Sequence, residues 1–311
     1  FDGVGAILAV YEGVIGSIRD ARYDKAGTRT RRWALRADAR QTLRDLPETL
    51  RTARKAATMF RAKREEFAAA RAPHVSAEDS RRVFVPTIAI YVGVPEWDAK
   101  AQSLGGNSYS LLAGFAAKLG EHLGRRRADG DVSLIIAINL RENLEDDRAL
   151  AMAFANATVD PTKVTEDLTE ARAAVREARE KAKNEPDPTI ELLSIAPWLP
   201  QSAIKGLAEV MFDYSESLPV ACSNLGDLPP EVGRIDGSEA EYVFIRAMDT
   251  NVTLGELKRS KGQLVVVSGR INGTVSISVE AYQLGAENTK ERLRDIAERT
   301  LAEFGLAGVI D

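Results

Sequence analysis

Residues 263–282 read QLVVVSGRINGTVSISVEAY, and the architecture follows from this stretch outward. Two β-branched runs, Gln263–Gly269 and Thr274–Tyr282, flank Asn272-Gly273, a pair that accepts positive φ and favours a two-residue type I′ hairpin loop. Tyr242–Met248 reads as a third antiparallel strand of this group. Leu218–Ser223 reads as a strand ahead of a turn-rich segment, Asn224–Gly237. A helix over Thr289–Phe304 is predicted to pack over these strands.

Further upstream, Asp131–Leu140 (DVSLIIAINL) and Ala149–Val159 (ALAMAFANATV) read as strands, and so does Arg82–Val94, with a break at Pro86. Gly105-Gly106-Asn107-Ser108 puts an Asn or Ser cap before an apolar helix, Tyr109–Leu123. Lys163–Lys183 is a charged helix closed by the Pro-rich turn Asn184–Pro188. Ile190–Phe212 is mostly helical with a break at Trp198–Pro200. Val4, Ile7, Leu8, Tyr11, Ile15 and Ile18 recur at helical spacing and predict a helix over 4–20. Residues 38–71 predict one or two helices interrupted near Pro47. The sum is a mixed α/β (α+β) chain without internal repeats.

With 311 residues, 44% of them hydrophobic, the chain is long enough to bury a core as one large domain or two ordinary ones. Its single cysteine, Cys222, excludes an internal disulfide and fits a reducing compartment. No apolar run approaches the roughly 18 residues of a membrane span, and the apolar start contains Glu12 without a basic flank. A cytoplasmic protein is the expectation. The net charge of −4 hides an asymmetry: Lys25–Arg64 holds 13 Lys/Arg against 3 Asp/Glu, so the rest carries −14. Leu43, Leu46, Leu50, Ala53 and Ala57 recur at helical spacing among those cations. Such a helix is either a solvated linker or a peripheral contact for an anionic membrane surface through residues 25–64. The acidic remainder, without interleaved aromatic and basic residues, argues against a nucleic-acid partner.

Familiar sites are missing: no Gly-rich phosphate loop, no Cys/His metal spacing and no Gly-x-Ser-x-Gly turn. The two histidines, His74 in a Pro-flanked polar stretch and His122 near a helix end, read as surface or helix-terminal residues. No metal site is expected.

Four segments nevertheless resemble one family in order: Gly105–Tyr109 opening a helix, Leu134–Arg141, Met152–Thr158, and Val220-Ala221-Cys222-Ser223-Asn224-Leu225-Gly226. They look like the later part of the coenzyme-A-dependent acyltransferase superfamily. That group includes condensation domains, chloramphenicol acetyltransferase, and the wax ester synthase/diacylglycerol acyltransferases and polyketide-associated acyltransferases of actinobacteria. The Asp-Phe-Gly-Trp-Gly segment of many members is absent here, and Ile136–Arg141 replaces a Pro-Val-Ser-Leu-Arg run.

The resemblance implies a chloramphenicol-acetyltransferase-like fold of two lobes with a tunnel between them. Residues 1–24 would end the first lobe, 25–80 would form a basic helical linker, and 81–311 the second lobe. Asp2-Gly3 matches the end of the family's His-His-x-x-x-Asp-Gly motif, which places the general-base histidine upstream of Phe1, on an N-terminal segment of the same protein. Whether that segment is continuous with this chain, a separately held piece, or lost from a silent protein stays open at this point. The implied reaction moves a fatty acyl group from a CoA or carrier-protein thioester to a lipid, glycolipid or alcohol hydroxyl. A silent scaffold subunit and an amide-forming condensation enzyme are the alternatives. No permanent cofactor is implied, only acyl-CoA as substrate. The implied site residues are Asp2 and Gly3, with Asn156, Ser223 and Asn224 at strand ends facing the tunnel. The donor's phosphates would meet Arg125, Arg126 and Arg127.

Overall fold

A computed structural model describes residues 3–16, 30–62, 79–141, 146, 151–184, 217–246 and 251–311. In chain order the elements are α1 (Gly3–Ile15), α2 (Arg31–Ala62), β1 (Thr87–Gly93), α3 (Val94–Ser103), α4 (Ser108–His122), β2 (Val132–Asn139) and β3 (Met152–Val159). There follow α5 (Thr169–Asn184), β4 (Val220–Asp227), a 3₁₀ turn (Pro230–Gly233), α6 (Leu254–Arg259), β5 (Gln263–Ile271), β6 (Thr274–Tyr282), α7 (Lys290–Glu303) and β7 (Val309–Ile310). Contacts divide the chain into two units, Phe1–Gly16, Val75–Glu185 and Tyr214–Asp311 in one, Ser17–His74 and Pro186–Asp213 in the other.

The first unit is built on one seven-stranded mixed sheet, ordered β3-β2-β4-β5-β6-β1-β7. β2, β4 and β5 run parallel, so their C-terminal ends share one edge. The Asn272-Gly273 loop joins β5 to β6 with both φ values positive, 50° and 73°, as a type I′ turn requires. One sheet face is sealed by helices. Ile88, Ile90, Leu134, Ile136, Val266 and Ile277 meet Trp97 of α3, Phe115 of α4, Val175 of α5 and Leu301 of α7 in a continuous core. Alternation sorts the side chains: along β2, positions 132, 134, 136 and 138 are buried and the residues between them are not.

Caps fix where these helices start. Asn107 Oδ1 accepts from Ser110 N at 3.0 Å, and Ser110 Oγ accepts from Asn107 N at 2.8 Å, a reciprocal box. Gly106 precedes it because an added Cβ would lie 2.5 Å from Ser110 Oγ and 2.8 Å from Leu168. The second sheet face receives α1 and the segment 241–246. Ile7 packs there with Leu228, Ile271, Val243 and Ile245.

Several expectations need correction. Residues 242–246 form no ladder; Ser278 Oγ donates to the Ile245 carbonyl at 2.7 Å instead, and the Tyr242 ring lies 4.6 Å from that of Tyr91. Met248 lies outside the described residues. The strand predicted over 82–94 begins only at Thr87, after Pro86, and Val94-Pro95 starts α3, which the sequence reading missed. α6 was also missed, although Thr253 and Glu256 form its capping box. α5 begins at Thr169 rather than Lys163, and β4 continues to Asp227.

In the second unit α2 is one helix of 32 residues running through Pro47, not the interrupted pair expected. Pro47 denies a donor to the Leu43 carbonyl, but that stretch is exposed, so the missing bond is cheap. The helix starts seven residues earlier than predicted, where Thr30 Oγ1 accepts from Trp33 N. The predicted continuations over 17–20 and 63–71, the turn at 185–188 and the helix at 190–212 lie outside the described residues.

Candidate active site

A cavity of about 190 Å³ opens at the edge formed by the C-terminal ends of the parallel strands. In open α/β sheets this edge is where ligands are received. Its walls are mainly apolar: Val4 at the start of α1, Ala137 of β2, Met152 of β3, Leu225 of β4, Ile245 and Val267 of β5. Its polar lining is Asn139, Ser223 and Asn224, with the backbone of Gly3 beside them.

Ser223 and Asn224 hold regular register with Val267 and Ser268 of β5, so their side chains alternate across the sheet, and a β-bulge follows them. Asn224 pairs with Ser268 and Asp227 with Arg270, so β4 holds one residue more than β5 over the same span. Gly226 takes φ 72° at the bulge, and Asn224 Oδ1 accepts from its backbone N–H at 2.8 Å. That bond leaves the Asn224 amide nitrogen as a donor. Behind the bulge, Arg270 makes a two-pronged contact with Asp98 at 2.7 and 3.2 Å and an ion pair with Asp227 at 3.2 Å. The Leu228 backbone N–H also donates to the Arg270 carbonyl at 2.8 Å. The strand end carrying Ser223 and Asn224 is thereby anchored to α3. Sequence reading overlooked Arg270 and Asp98; the Gly in Ser-Asn-Leu-Gly was the available signal for a bulge.

Cys222 points to the opposite face, buried in the helix-covered core, and burial pushes its thiol up to about 12. It is a core side chain at neutral pH.

The structure brings together Gly3, Ser223 and Asn224 from the predicted set. Asp2 lies outside the described residues. Asn156 is the fifth of eight residues in β3, in mid-strand rather than at a strand end, exposed opposite Ile135 and not among the cavity walls. The three arginines sit near the N-terminal start of β4, at the opposite sheet edge, about 20 Å from the cavity by strand rise. Arg125 is 5% exposed and donates to the carbonyls of Leu218, Pro219 and Lys261 at 3.1, 3.2 and 3.3 Å. Burial lowers its guanidinium to about 10, still protonated at neutral pH. Arg126 pairs with Glu121 at 3.1 Å and donates to the Gly130 carbonyl, and Arg127 pairs with Asp129 at 2.8 Å. His122 contacts Glu303 at 2.7 Å, away from the cavity, and His74 lies outside the described residues. Among the described residues no group of three or more His, Cys, Asp or Glu is placed to hold a metal ion, and no helix is long and apolar enough to cross a membrane.

No family model matches the chain, and no curated protein does. The solved structures it resembles are condensation-domain and wax-ester-synthase-like acyltransferases. One is a condensation domain mediating chain release from the enacyloxin polyketide synthase, 14% identical over 73% of this chain and 42% of that one, with a TM-score of 0.41. Another is the first condensation domain of the CDA synthetase, 12% identical over 99% of this chain and 64% of that one, TM-score 0.45. A third is the wax ester synthase/diacylglycerol acyltransferase from Marinobacter aquaeolei VT8, 15% identical over 80% of this chain and 55% of that one, TM-score 0.44. The chain spans between 42% and 64% of the length of these three.

Proposed function

We propose that this chain carries part of an acyl-transfer site, in which Ser223 and Asn224 hold the carbonyl of an acyl thioester inside the cavity. The observation that carries the reading is the cavity at the C-terminal ends of β2 and β4, where Asn139, Ser223 and Asn224 are the polar residues among mainly apolar walls beside the start of α1. Donors fixed in place before reaction are what a developing oxyanion needs, and an apolar wall strengthens them by excluding water. The positive end of the α1 dipole faces the same chamber.

The chemistry of this reading balances as follows. A histidine on the segment preceding Phe1 takes the proton of an acceptor hydroxyl, whose oxygen attacks the thioester carbon. The tetrahedral oxyanion rests on Ser223 and Asn224. The C–S bond then breaks, the imidazolium returns the proton, and thiol and ester leave. Gly3 supports this placement of the base. It lines the cavity, so a residue five positions earlier lies within about 16–18 Å of it along an extended chain. The acyl group is taken to be a fatty chain, which suits Val4, Met152 and Leu225. The donor is CoA or a carrier-protein thioester, and the acceptor a lipid, glycolipid or alcohol hydroxyl.

The test is thiol release from a fatty acyl-CoA, with and without a long-chain alcohol, by protein that includes the residues before Phe1. Ser223→Ala is expected to lower kcat by tenfold or more, towards the hundredfold or greater loss typical of an oxyanion donor. An unchanged rate removes Ser223 from the chemistry. A wild-type protein with no thiol release at all favours the silent scaffold.

A further inference from the structure

The α2 helix is about 48 Å long and points its leucines the wrong way for a linker. Leu43, Leu46 and Leu50 are exposed, Leu43 at 71%, while its most buried described side chain is Thr52, on the opposite face. At 100° per residue, Leu43, Leu46, Leu50, Ala53 and Ala57 fall within an arc of about 80°. Arg36, Arg40, Arg44, Arg51 and Arg54 fill the adjoining arc of about the same width. All three acids of the helix, Asp38, Asp45 and Glu48, lie on the far side. These two adjoining arcs, about half of the helix circumference, are apolar along one strip and cationic along its neighbour, while the exposed Asp38 and Asp45 lie outside them. Leu50, Arg51, Arg54 and Thr58 border an open hollow on that surface.

We propose that this face of α2 docks on an anionic lipid bilayer, with the leucines entering the headgroup boundary and the arginines on lipid phosphates. Charge complementarity selects this occupant. The helix carries nine Lys/Arg against three acids within a chain of net charge −4, so the attraction is local to this face while the remainder is repelled. A long helix with a shallow apolar strip and adjoining arginines matches the requirement of a helix lying in the plane of a membrane interface. The proposal stands apart from the cavity and its chemistry.

The experiment is co-sedimentation of the full chain with vesicles of equimolar phosphatidylglycerol and phosphatidylcholine, and of phosphatidylcholine alone. Binding is expected on the anionic vesicles only, and is expected to weaken strongly at about 1 M salt, where the screening length falls to about 3 Å. Arg44→Gln/Arg51→Gln/Arg54→Gln should weaken it roughly a hundredfold. Leu43→Gln/Leu46→Gln/Leu50→Gln should weaken it by about tenfold or more. Asp38→Asn/Asp45→Asn should not weaken it. All three sets are exposed substitutions, and unchanged circular dichroism verifies the fold. Failure to bind anionic vesicles, or equal binding by the arginine and leucine variants, overturns the proposal. So does concentration-dependent self-association abolished by the leucine variant in the absence of vesicle binding, which would assign the face to a second copy.

Discussion

Replacing Arg125 by Met separates a structural arginine from one that binds phosphate. The side chain is buried and its guanidinium serves three backbone carbonyls, two at the start of β4 and one, Lys261, in the turn before β5. Hydrogen bonds from a charged donor contribute about 1.5–3 kcal/mol each, so the three together contribute about 5–9 kcal/mol. Against this stands the cost of burying the charge. The fall of the guanidinium from 12.5 to about 10 corresponds to about 3 kcal/mol. The net contribution is about 2–6 kcal/mol. Arg125→Met should therefore lower the urea midpoint, followed by circular dichroism, by about 1–2 M. Arg126→Met and Arg127→Met remove pairs whose arginines are more than a third exposed and should change it little. An Arg125→Met protein with an unaltered midpoint but a raised KM for acyl-CoA would refute this reasoning and restore the donor-binding role that the sequence suggested.

Three further outcomes follow from the geometry. Gly106→Ala drives a methyl into Ser110 Oγ and Leu168 and should cost about 1–3 kcal/mol, read as a lower melting temperature. Cys222, buried and held as a neutral thiol, should resist a disulfide-exchange reagent in the native protein and react only on unfolding; rapid native reaction would contradict its placement. Asp160 and Asp236 accept from the hydroxyl and backbone N–H of Thr162 and Ser238, which hold both carboxyls below the usual range. A depressed carboxyl contributes stability above its unfolded pKa and loses it as the pH falls through the folded one. Asp160→Asn/Asp236→Asn should accordingly flatten the acid side of the melting-temperature profile below about pH 4, whereas parallel profiles would deny the effect.

The strands of the sheet were legible wherever one face is buried, because a period of two is then imposed on the side chains. Val132–Asn139 and Thr274–Tyr282 are of this kind, and their bounds fell within a residue of those read from the sequence. Asn107 announced its helix by cap chemistry. Residues 242–246 misled for the opposite reason: Val243 and Ile245 are half-buried by packing near Ile7 and Ile271 without any strand partner, while Tyr242 and Phe244 stay exposed, a tertiary fact that composition cannot distinguish from pairing. Pro47 misled because exposure makes a missing helix bond cheap. At the site, Ser223 and Asn224 were marked by a four-residue resemblance. The anchoring by Arg270 joins residues far apart in sequence, and no local pattern records it. The arginine run at 125–127 looked like a phosphate site because charge is visible in a sequence, whereas the carbonyls that meet Arg125 and the carboxylates that meet Arg126 and Arg127 are not.

The position of β1 between β6 and β7 bears on how the protein is made. Gly93 must find Thr274, and Tyr91 must find Val309, so an early strand waits for partners near the other end of the chain. At the usual pace of translation that wait is on the order of ten seconds or more. During it the apolar edge of Ile88, Ile90 and Val92 has no ladder on either side, which makes the nascent chain a natural client for holding chaperones and predicts better yields when such chaperones are supplied.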